Sequence, residues 1–205
     1  NGPTVLSGNP FIPAGVQAQM TTLGLASIRL GHMNADMGDV AVGTGRAANR
    51  FVLGAEGNFG IGETQWNWNA YAQMGETSSS HDTYNVENNE HYRLALDAVR
   101  DPASGAIVCR STLTNPGNGC VPWNAMGTGV NDVLARNYLF GTAHADQTTK
   151  QTVYAASITG EPFSNWAGPV SVALSAEHRR EEATVDSDPI SQASGWRSGN
   201  LIPLD

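Results

Sequence analysis

Charged residues at alternating positions of one segment are the clearest candidates for chemistry in this sequence. Glu177, Arg179 and Glu181 occupy every second position there, and Glu56 lies in a separate segment upstream. Two carboxylates that flank a glycosidic bond can hydrolyse it, one as the acid and the other as base or nucleophile. The same pattern suits a water-facing strand, where acids and an arginine pair with one another. We favour the ion-pair interpretation; a secreted hydrolase that uses Glu177 and Glu181 is the enzymatic alternative.

Two further patterns resemble functional motifs but lack their context. His81, Asp82 and His91 are ligand-type residues, but their spacing matches no standard metal motif. Segment 42–48 contains G-x-G-x-x-A, which binds a dinucleotide only where it follows a strand and opens a helix. A strand pattern follows it instead, so we interpret its glycines as loop glycines. We expect no metal, no cofactor and no enzymatic activity.

Composition excludes several classes of partner. The 205 residues include 19 acids and 11 bases, a net charge of −8, which argues against nucleic-acid binding. Lys150 is the only lysine, so a polybasic patch for a membrane surface is absent. No apolar run is long enough for a transmembrane helix, whereas a transmembrane strand needs only about ten alternating residues. The first residues do not resemble a signal peptide, so we expect a mature product, a domain or a piece of a longer protein.

Cys109 and Cys120 are separated by RSTLTNPGNG, which consists largely of turn-forming residues. Such a segment can reverse the chain and bring the two sulfurs together. A disulfide across so short a loop contributes roughly 3 kcal/mol in the chain-entropy model. It would indicate an oxidising compartment, such as a periplasm or a cell surface. Two free, buried thiols are the alternative.

Two segments of alternating polarity predict a first β-hairpin over residues 46–78. Side chains alternate across a strand, so residues two apart share a face. One face of segment 66–74 carries Trp66, Trp68, Ala70, Ala72 and Met74, and the other carries Asn67, Asn69, Tyr71 and Gln73. Segment 51–59 alternates in the same way, with Phe51 and Leu53 on its apolar face and Glu56 on the other. The glycines of 60–65 predict the connection.

A second hairpin is predicted over residues 147–184. Segment 151–158 places Gln151 opposite an apolar face that includes Tyr154 and Ile158. We predict a turn over Glu161–Pro169, followed by a return strand with apolar residues on one face. The other face of that strand carries Glu177, Arg179 and Glu181.

The apolar faces of both hairpins are thin and rich in alanine, and large aromatic residues lie near the short turns. A soluble sandwich core would favour Leu, Ile and Val instead. Aromatic residues at one height are typical of the interfaces of a transmembrane barrel. We therefore predict four membrane-interface aromatics, namely Trp66, Trp68, Phe163 and Trp166.

A long connection is predicted over residues 79–146, between the two hairpins. Spacing of apolar residues indicates helices over Asn88–Val99 and Val130–Phe140, with Asn88 or Asn89 as an N-cap. Candidates for ligand contact in this region are Tyr84, Tyr92, Trp123 and Tyr138; packing against its own helices is the alternative for each. Short turns at one end and a long loop at the other match outer-membrane barrels.

The two ends of the chain are predicted to be external loop regions, over residues 1–45 and 185–205. In the first region, Pro13–Thr22 predicts a short helix, Leu25–Leu30 a strand, and Asp39–Gly45 a loop.

Several stretches of this chain resemble the barrel of TonB-dependent outer-membrane receptors, most strongly over residues 50–195. They include FVLGAEGNFG, WNWNAYAQMGET, ITGEPFSNWAGPVSVALSAEHRREE and DPISQASG. The most specific stretch is AVRDPASGAIVCRSTLTNPGNGCVPWNAMG, which contains both cysteines. The closest likeness is to the large receptor groups of Gram-negative bacteria such as sphingomonads and caulobacters.

The resemblance implies a barrel of about 22 strands, closed around an N-terminal plug. Such receptors bind a scarce nutrient, such as a siderophore, cobalamin or carbohydrate, and import it with energy from the inner-membrane TonB complex. This chain shows neither a plug nor a TonB-binding segment, and it ends in Leu204-Asp205 rather than in an aromatic residue. We expect an internal barrel segment whose partners are the rest of the barrel and plug, the outer-membrane lipid and the nutrient. TonB would act only through the missing N-terminal part.

The sequence thus predicts an all-β antiparallel meander, a partial transmembrane barrel with a long external loop that carries short helices. Its water-facing residues would line the lumen: Glu56, Asn67, Asn69, Tyr71, Gln73, Gln151, Glu177, Arg179 and Glu181. We expect it in the outer membrane of a Gram-negative cell. The alternative of another class is a secreted, soluble β-sandwich that binds carbohydrate.

Overall fold

The computed structural model describes residues 2–31 and 37–200 and has an all-β antiparallel architecture with few helices. The parts of the predicted end regions that fall on residues 1, 32–36 and 201–205 lie outside the described residues. No helix in the described ranges is both long and apolar enough to cross a membrane.

The described chain forms two compact units. The sheet unit contains residues 44–81 and 145–186, and the loop unit contains residues 2–31, 37–43, 82–144 and 187–200. The strands, in chain order, are β1 Thr4–Leu6, β2 Ser27–Arg29, β3 Ala41–Ile61, β4 Thr64–Glu87, β5 Ala98–Arg100, β6 Ile107–Cys109, β7 Phe140–Asn165 and β8 Gly168–Ser187. The helices are α1 Ala14–Thr22, α2 Asn89–Leu96, α3 Val133–Leu139 and α4 Pro189–Gln192, with a 3₁₀ turn at Arg110–Leu113.

The main sheet has the strand order β3-β4-β7-β8, so each strand pairs with its neighbour in the chain. This is the predicted meander. The first hairpin turns through only Gly62 and Glu63. Gly62 has φ 61°, and glycine adopts this left-handed conformation without steric cost. Thr64 donates its hydroxyl hydrogen to the Ile61 carbonyl at 2.7 Å and closes the turn.

The second hairpin turns within the predicted Glu161–Pro169, but the turn is much shorter than predicted. Strand β7 continues to Asn165 and β8 begins at Gly168, which leaves a connection of two residues. The Asn165 side chain accepts a hydrogen bond from the Ala167 backbone N–H at 2.8 Å, a local contact that favours a turn. Gly168, at φ 127°, supplies the remaining reversal, so the prolines on either side lie within strands.

The long strands extend beyond the alternating segments from which they were predicted. Strand β4 continues to Glu87 and β7 begins at Phe140, so the connection spans 88–139 rather than 79–146. The predicted loop at Asp39–Gly45 is also partly wrong, because β3 begins at Ala41. A Cβ atom at Gly45 would lie 2.8 Å from the Ser80 hydroxyl oxygen, so the glycine permits close strand approach. These strand ends carry polar residues on both faces, so the sequence there shows no alternation of polarity from which a strand could be predicted.

In the loop unit, side chains cap the N-termini of α2, α3 and α4. The Asn88 side chain accepts hydrogen bonds from the first N–H groups of α2, and Asp132 does so for α3. The predicted helices over Asn88–Val99 and Val130–Phe140 are confirmed, with shorter bounds. Helix α1 matches the predicted Pro13–Thr22 to within one residue.

The loop unit has three small apolar clusters. Trp123, Ala135 and Leu139 are fully buried in the first, Val5 and Met20 in the second, and Val86, Ala143 and Trp196 form the third. Two short antiparallel pairs, β1–β2 and β5–β6, complete the unit.

The predicted disulfide between Cys109 and Cys120 is confirmed. Cys109 is fully buried at the end of β6, and the intervening turn is held by the Asn118 side chain. Asn118 donates to the Ser111 hydroxyl at 2.9 Å and accepts from the Cys120 backbone N–H at 3.0 Å. The covalent link and the side-chain contacts thus fix the same loop.

Candidate functional site: the two faces of the sheet and the loop unit

A continuous chain of hydrogen bonds crosses all four strands on the polar face of the sheet. Arg50 of β3 donates to the Gln73 side-chain oxygen at 2.6 Å, and Gln73 donates to Gln151 at 2.9 Å. Gln151 in turn donates to a Glu181 carboxylate oxygen at 2.7 Å. Three of the predicted water-facing residues are therefore brought together: two glutamines lie between the Arg50 cation on one edge strand and the Glu181 anion on the other.

Arg179 extends this chain along β8. Its guanidinium lies 3.0 Å from a Glu177 carboxylate oxygen and 3.9 Å from one of Glu181. The Arg179 side chain is 53% exposed, so water screens these pairs and each contributes little stability. The carboxylates of Glu177 and Glu181 thus share the Arg179 guanidinium, as expected if these residues form ion pairs on a water-facing strand.

The remaining predicted water-facing residues share this face without joining the chain. Alternation places Asn67, Asn69 and Tyr71 on the same side of β4 as Gln73. Tyr71 packs beside Gly54 of β3, where an added Cβ atom would lie 3.3 Å from the tyrosine Cβ. Glu56 lies six residues after Arg50 on β3, on the same face, and is exposed.

A row of four alanines crosses the opposite, apolar face. The contacts Glu161–Ser171 and Gln151–Glu181 fix the register of β7 and β8, so Ala156 lies opposite Ala176. The row is completed by alanines of β3 and β4 that line the same shallow depression; its members are Ala55, Ala70, Ala156 and Ala176. Small side chains in every strand make the middle of this face concave.

Large apolar side chains on this face are exposed. Phe51 is 75% exposed, Leu53 80% and Leu174 63%. On β3 the apolar alternation runs eleven residues, from Phe51 to Ile61, and on β4 it runs nine, from Trp66 to Met74.

Charged side chains end this apolar band. On the same face, Glu76 follows Met74 on β4, and its carboxylate lies 3.8 Å from the Lys150 ammonium of β7. On β8, His178 follows Ala176, and Arg180 and Glu182 then form an ion pair at 2.5 Å. The face therefore changes from apolar to charged on three neighbouring strands.

The four predicted interface aromatics lie near the hairpin turns but not all on one face. Trp66 covers Gly160 of β7, and Trp68 covers Gly57 of β3; a Cβ atom at Gly160 would lie 2.5 Å from the Trp66 ring. Trp166, in the second turn, is 98% exposed. Phe163, which is 61% exposed, lies two residues after Glu161 on β7 and so shares the polar face with it.

The four candidate ligand-contact aromatics of the loop unit have different environments. Tyr84 is 45% exposed and donates its hydroxyl hydrogen to Asp82 at 3.3 Å. Tyr138 stacks on His91, with ring centroids 4.3 Å apart. Trp123 is 1% exposed and is therefore inaccessible to a ligand in this conformation. Tyr92 is 8% exposed and lines a cavity.

The Tyr92 cavity is divided into two lobes. One lobe, of about 490 Å³, is lined by Met37, Asn85, Glu87, Phe140 and Arg197 as well as Tyr92. The other, of about 440 Å³, shares Tyr92 and Arg197 and adds Arg93 and Asp97. Burial raises the pKa of Tyr92 to about 12, and the Glu87 carboxylate adds to this effect. The hydroxyl therefore stays protonated at physiological pH and can donate a hydrogen bond.

His81, Asp82 and His91 contact different partners. His81 lies 3.4 Å from the Thr44 hydroxyl, and His91 Nδ1 lies 2.7 Å from the Tyr138 carbonyl oxygen. Asp82 lies 2.6 Å from His144 Nδ1, a contact that lowers the pKa of the carboxyl group. In the described ranges no three such side chains gather as metal ligands would.

Asp188, which sequence reasoning missed, holds together the junction between β8 and α4. Its carboxylate accepts hydrogen bonds from Ser191, from the Trp196 indole and from the His144 backbone N–H. Burial raises the pKa of this carboxyl group, but the hydrogen bonds outweigh it and lower the pKa to about 2. The signal in the sequence was Asp before Pro, an N-cap followed by Pro at the first helical position.

No protein-family model matches this chain, and no curated protein matches its sequence. The resemblance to TonB-dependent receptors therefore stays a prediction.

Proposed function

We propose that the sheet crosses an outer membrane as part of a transmembrane β-barrel, in a TonB-dependent type of receptor that binds and imports a scarce nutrient. The observation that carries the membrane part is the exposed apolar face, which ends in charged residues. A transmembrane strand needs about 9–11 residues. The apolar runs of nine residues on β4 and eleven on β3 have this length.

The height of the band supports the same proposal. Eleven residues at about 3.3 Å each span roughly 33 Å along a strand. At the tilt of about 40° found in barrels, this corresponds to roughly 25 Å along the membrane normal, the height of the apolar band in outer-membrane barrels. Between the charged pairs and the hairpin turns, the apolar face carries no Asp, Glu, Lys or Arg, and His178 lies at the margin of the band.

The free strand edges also fit a larger barrel. In the part of the chain that the structure describes, neither β3 nor β8 has a partner on its outer edge. Both strands are at least 20 residues long, and unpaired backbone groups are costly in lipid. Further strands must therefore complete these edges, and the polar face then lines the lumen.

The receptor part of the proposal rests on the resemblance. Neutral amide and hydroxyl side chains, together with the Arg50–Glu181 hydrogen-bond chain, make the polar face suitable as the wall of a water-filled lumen. A plug domain and a TonB-binding segment encoded upstream in the same gene are expected. Their absence from the gene would contradict the receptor assignment.

Flotation with phospholipid vesicles tests the membrane part. The chain is refolded with and without vesicles and then centrifuged through a density gradient. We expect the chain to float with vesicles and to need detergent in their absence, because the apolar face must be shielded from water. A monomer that stays soluble without lipid or detergent would contradict the proposal and favour the carbohydrate-binding β-sandwich.

A further inference from the structure

The cavity beside Tyr92 combines an apolar wall with donor groups that can form further hydrogen bonds. Its larger lobe, of about 490 Å³, is within the usual size range of small-ligand sites. Met37 and Phe140 supply the apolar wall, and Arg197 and Tyr92 reach both lobes.

Arg197 is held in place while much of its guanidinium group stays available. Its backbone N–H donates to the Glu87 carbonyl at 2.8 Å, and its Nη1 donates to the Glu87 carboxylate at 2.9 Å. The Glu87 side chain is only 7% exposed, whereas that of Arg197 is 52% exposed. A guanidinium carries five N–H donors in a planar fork, so one edge can bind Glu87 and another can bind a second oxyanion.

Tyr92 presents a second hydrogen-bond donor to the cavity. It is 8% exposed, and its hydroxyl makes no hydrogen bond to any residue in the described ranges. In the described ranges the buried side-chain atoms without a partner are Trp123 Nε1 and Ser187 Oγ, so the Tyr92 hydroxyl keeps contact with water in the cavity. An oxygen atom of a ligand can replace that water. Since Tyr92 lines both lobes, a ligand in the cavity would supply the partner.

The charges around the cavity favour an anionic ligand over a cationic one. In the described ranges each acid that lines the cavity has an arginine partner: Glu87 pairs with Arg197, and Asp97 lies 2.9 Å from Arg110. The groups with remaining capacity are therefore donors, Arg197 and the Tyr92 hydroxyl. A planar carboxylate matches a guanidinium edge in geometry.

We infer that this cavity binds a small organic carboxylate with an apolar body, with Arg197 and the Tyr92 hydroxyl binding its oxygen atoms. If the chain belongs to a nutrient receptor, as proposed above, such a carboxylate is the class of ligand that the receptor takes up. The inference rests on the proposed function in this respect. The apolar body lies against Met37 and Phe140. The binding itself involves only loop-unit residues.

Calorimetry of the folded chain with benzoate tests this inference. Benzamide is the neutral control of the same shape, and inorganic phosphate tests whether an oxyanion without an apolar body suffices. We expect benzoate to bind at least tenfold more tightly than either. Equal binding of benzamide, equal binding of phosphate, or no binding of benzoate would overturn the inference.

Two variants locate the site. Tyr92→Phe removes only the hydroxyl and should weaken benzoate binding about tenfold, the usual effect of losing a hydrogen bond to a charged group, without lowering the melting temperature. Tyr138→Phe is the matched control, because Tyr138 stacks on His91 outside the cavity, and it should leave binding unchanged. Equal affinity of Tyr92→Phe and the unaltered chain would contradict the assignment. Flotation with vesicles but no benzoate binding would refute this inference and leave the membrane proposal standing.

Discussion

An arginine at Leu174 should reveal whether the apolar face contacts lipid. Leu174 lies four residues from Val170 and four from His178 on β8, so it is about 13 Å along the strand from each end of its band. With barrel tilt this is roughly 10 Å along the membrane normal, close to the midplane. Leu174 is 63% exposed, so little protein packing is lost when it is replaced.

The expected magnitude differs strongly between lipid and water. Arginine on the lipid-facing side near the midplane lowers the free energy of unfolding by about 2–4 kcal/mol. An exposed substitution on a water-soluble surface usually changes it by less than about 0.5 kcal/mol. Leu174→Arg should therefore shift the folding equilibrium about 30-fold to 1,000-fold in vesicles, at tenfold per 1.4 kcal/mol.

Ser175→Arg is the matched control, because Ser175 is exposed on the adjacent, polar face of the same strand. It shares that face with Glu177, so an added arginine should cost less than about 0.5 kcal/mol. Urea unfolding in thin phospholipid vesicles, followed by tryptophan fluorescence, measures both variants. If both change stability by less than about 0.5 kcal/mol, the apolar face does not contact lipid.

Three further perturbations test the fold. Replacing Cys109 and Cys120 by serine should destabilise the loop unit by about 3 kcal/mol, measured by chemical denaturation; an unchanged midpoint would contradict this. Gly160→Ala should cost about 1–3 kcal/mol by displacing the Trp66 ring, seen as a red-shifted emission, whereas the roomier Gly60→Ala should not. Asp188 has a folded pKa of about 2, lower than its unfolded value, so its stabilising effect is complete above about pH 4 and lost towards pH 2. Asp188→Asn should flatten that part of the stability–pH curve, and an unchanged slope would refute the role of this carboxylate.

The hairpins could be predicted because one face of each strand is apolar and the other polar. Segments 51–59 and 66–74 show the period of two that only a strand produces. The ends of the same strands could not be predicted in this way. At 78–83 and 141–145, polar or small residues occupy both faces, so alternation is absent although backbone pairing continues.

Glycine and proline misled the prediction for a different reason. Gly43 and Gly45 resemble loop residues, but in β3 they allow close approach to the Tyr84 ring and the Ser80 side chain. Pro162 lies within β7, although proline usually marks a turn. The sequence also indicated Tyr92 as a ligand-contact candidate, but not Arg197, since nothing local in the sequence links two residues so far apart. That pairing exists only because Arg197 bonds to Glu87 at the end of β4.

Fluorine NMR with spin-labelled lipid tests the central claim most directly. The five tryptophans are labelled with 5-fluorotryptophan, and each signal is assigned by a single Trp→Phe substitution. A nitroxide at the middle of the acyl chain should broaden the signal of Trp68, on the apolar face, and leave that of buried Trp123 sharp. If a water-soluble gadolinium chelate broadened Trp68 while the lipid nitroxide did not, the apolar face would be facing water, and the account of this sheet as a membrane-spanning structure would be contradicted.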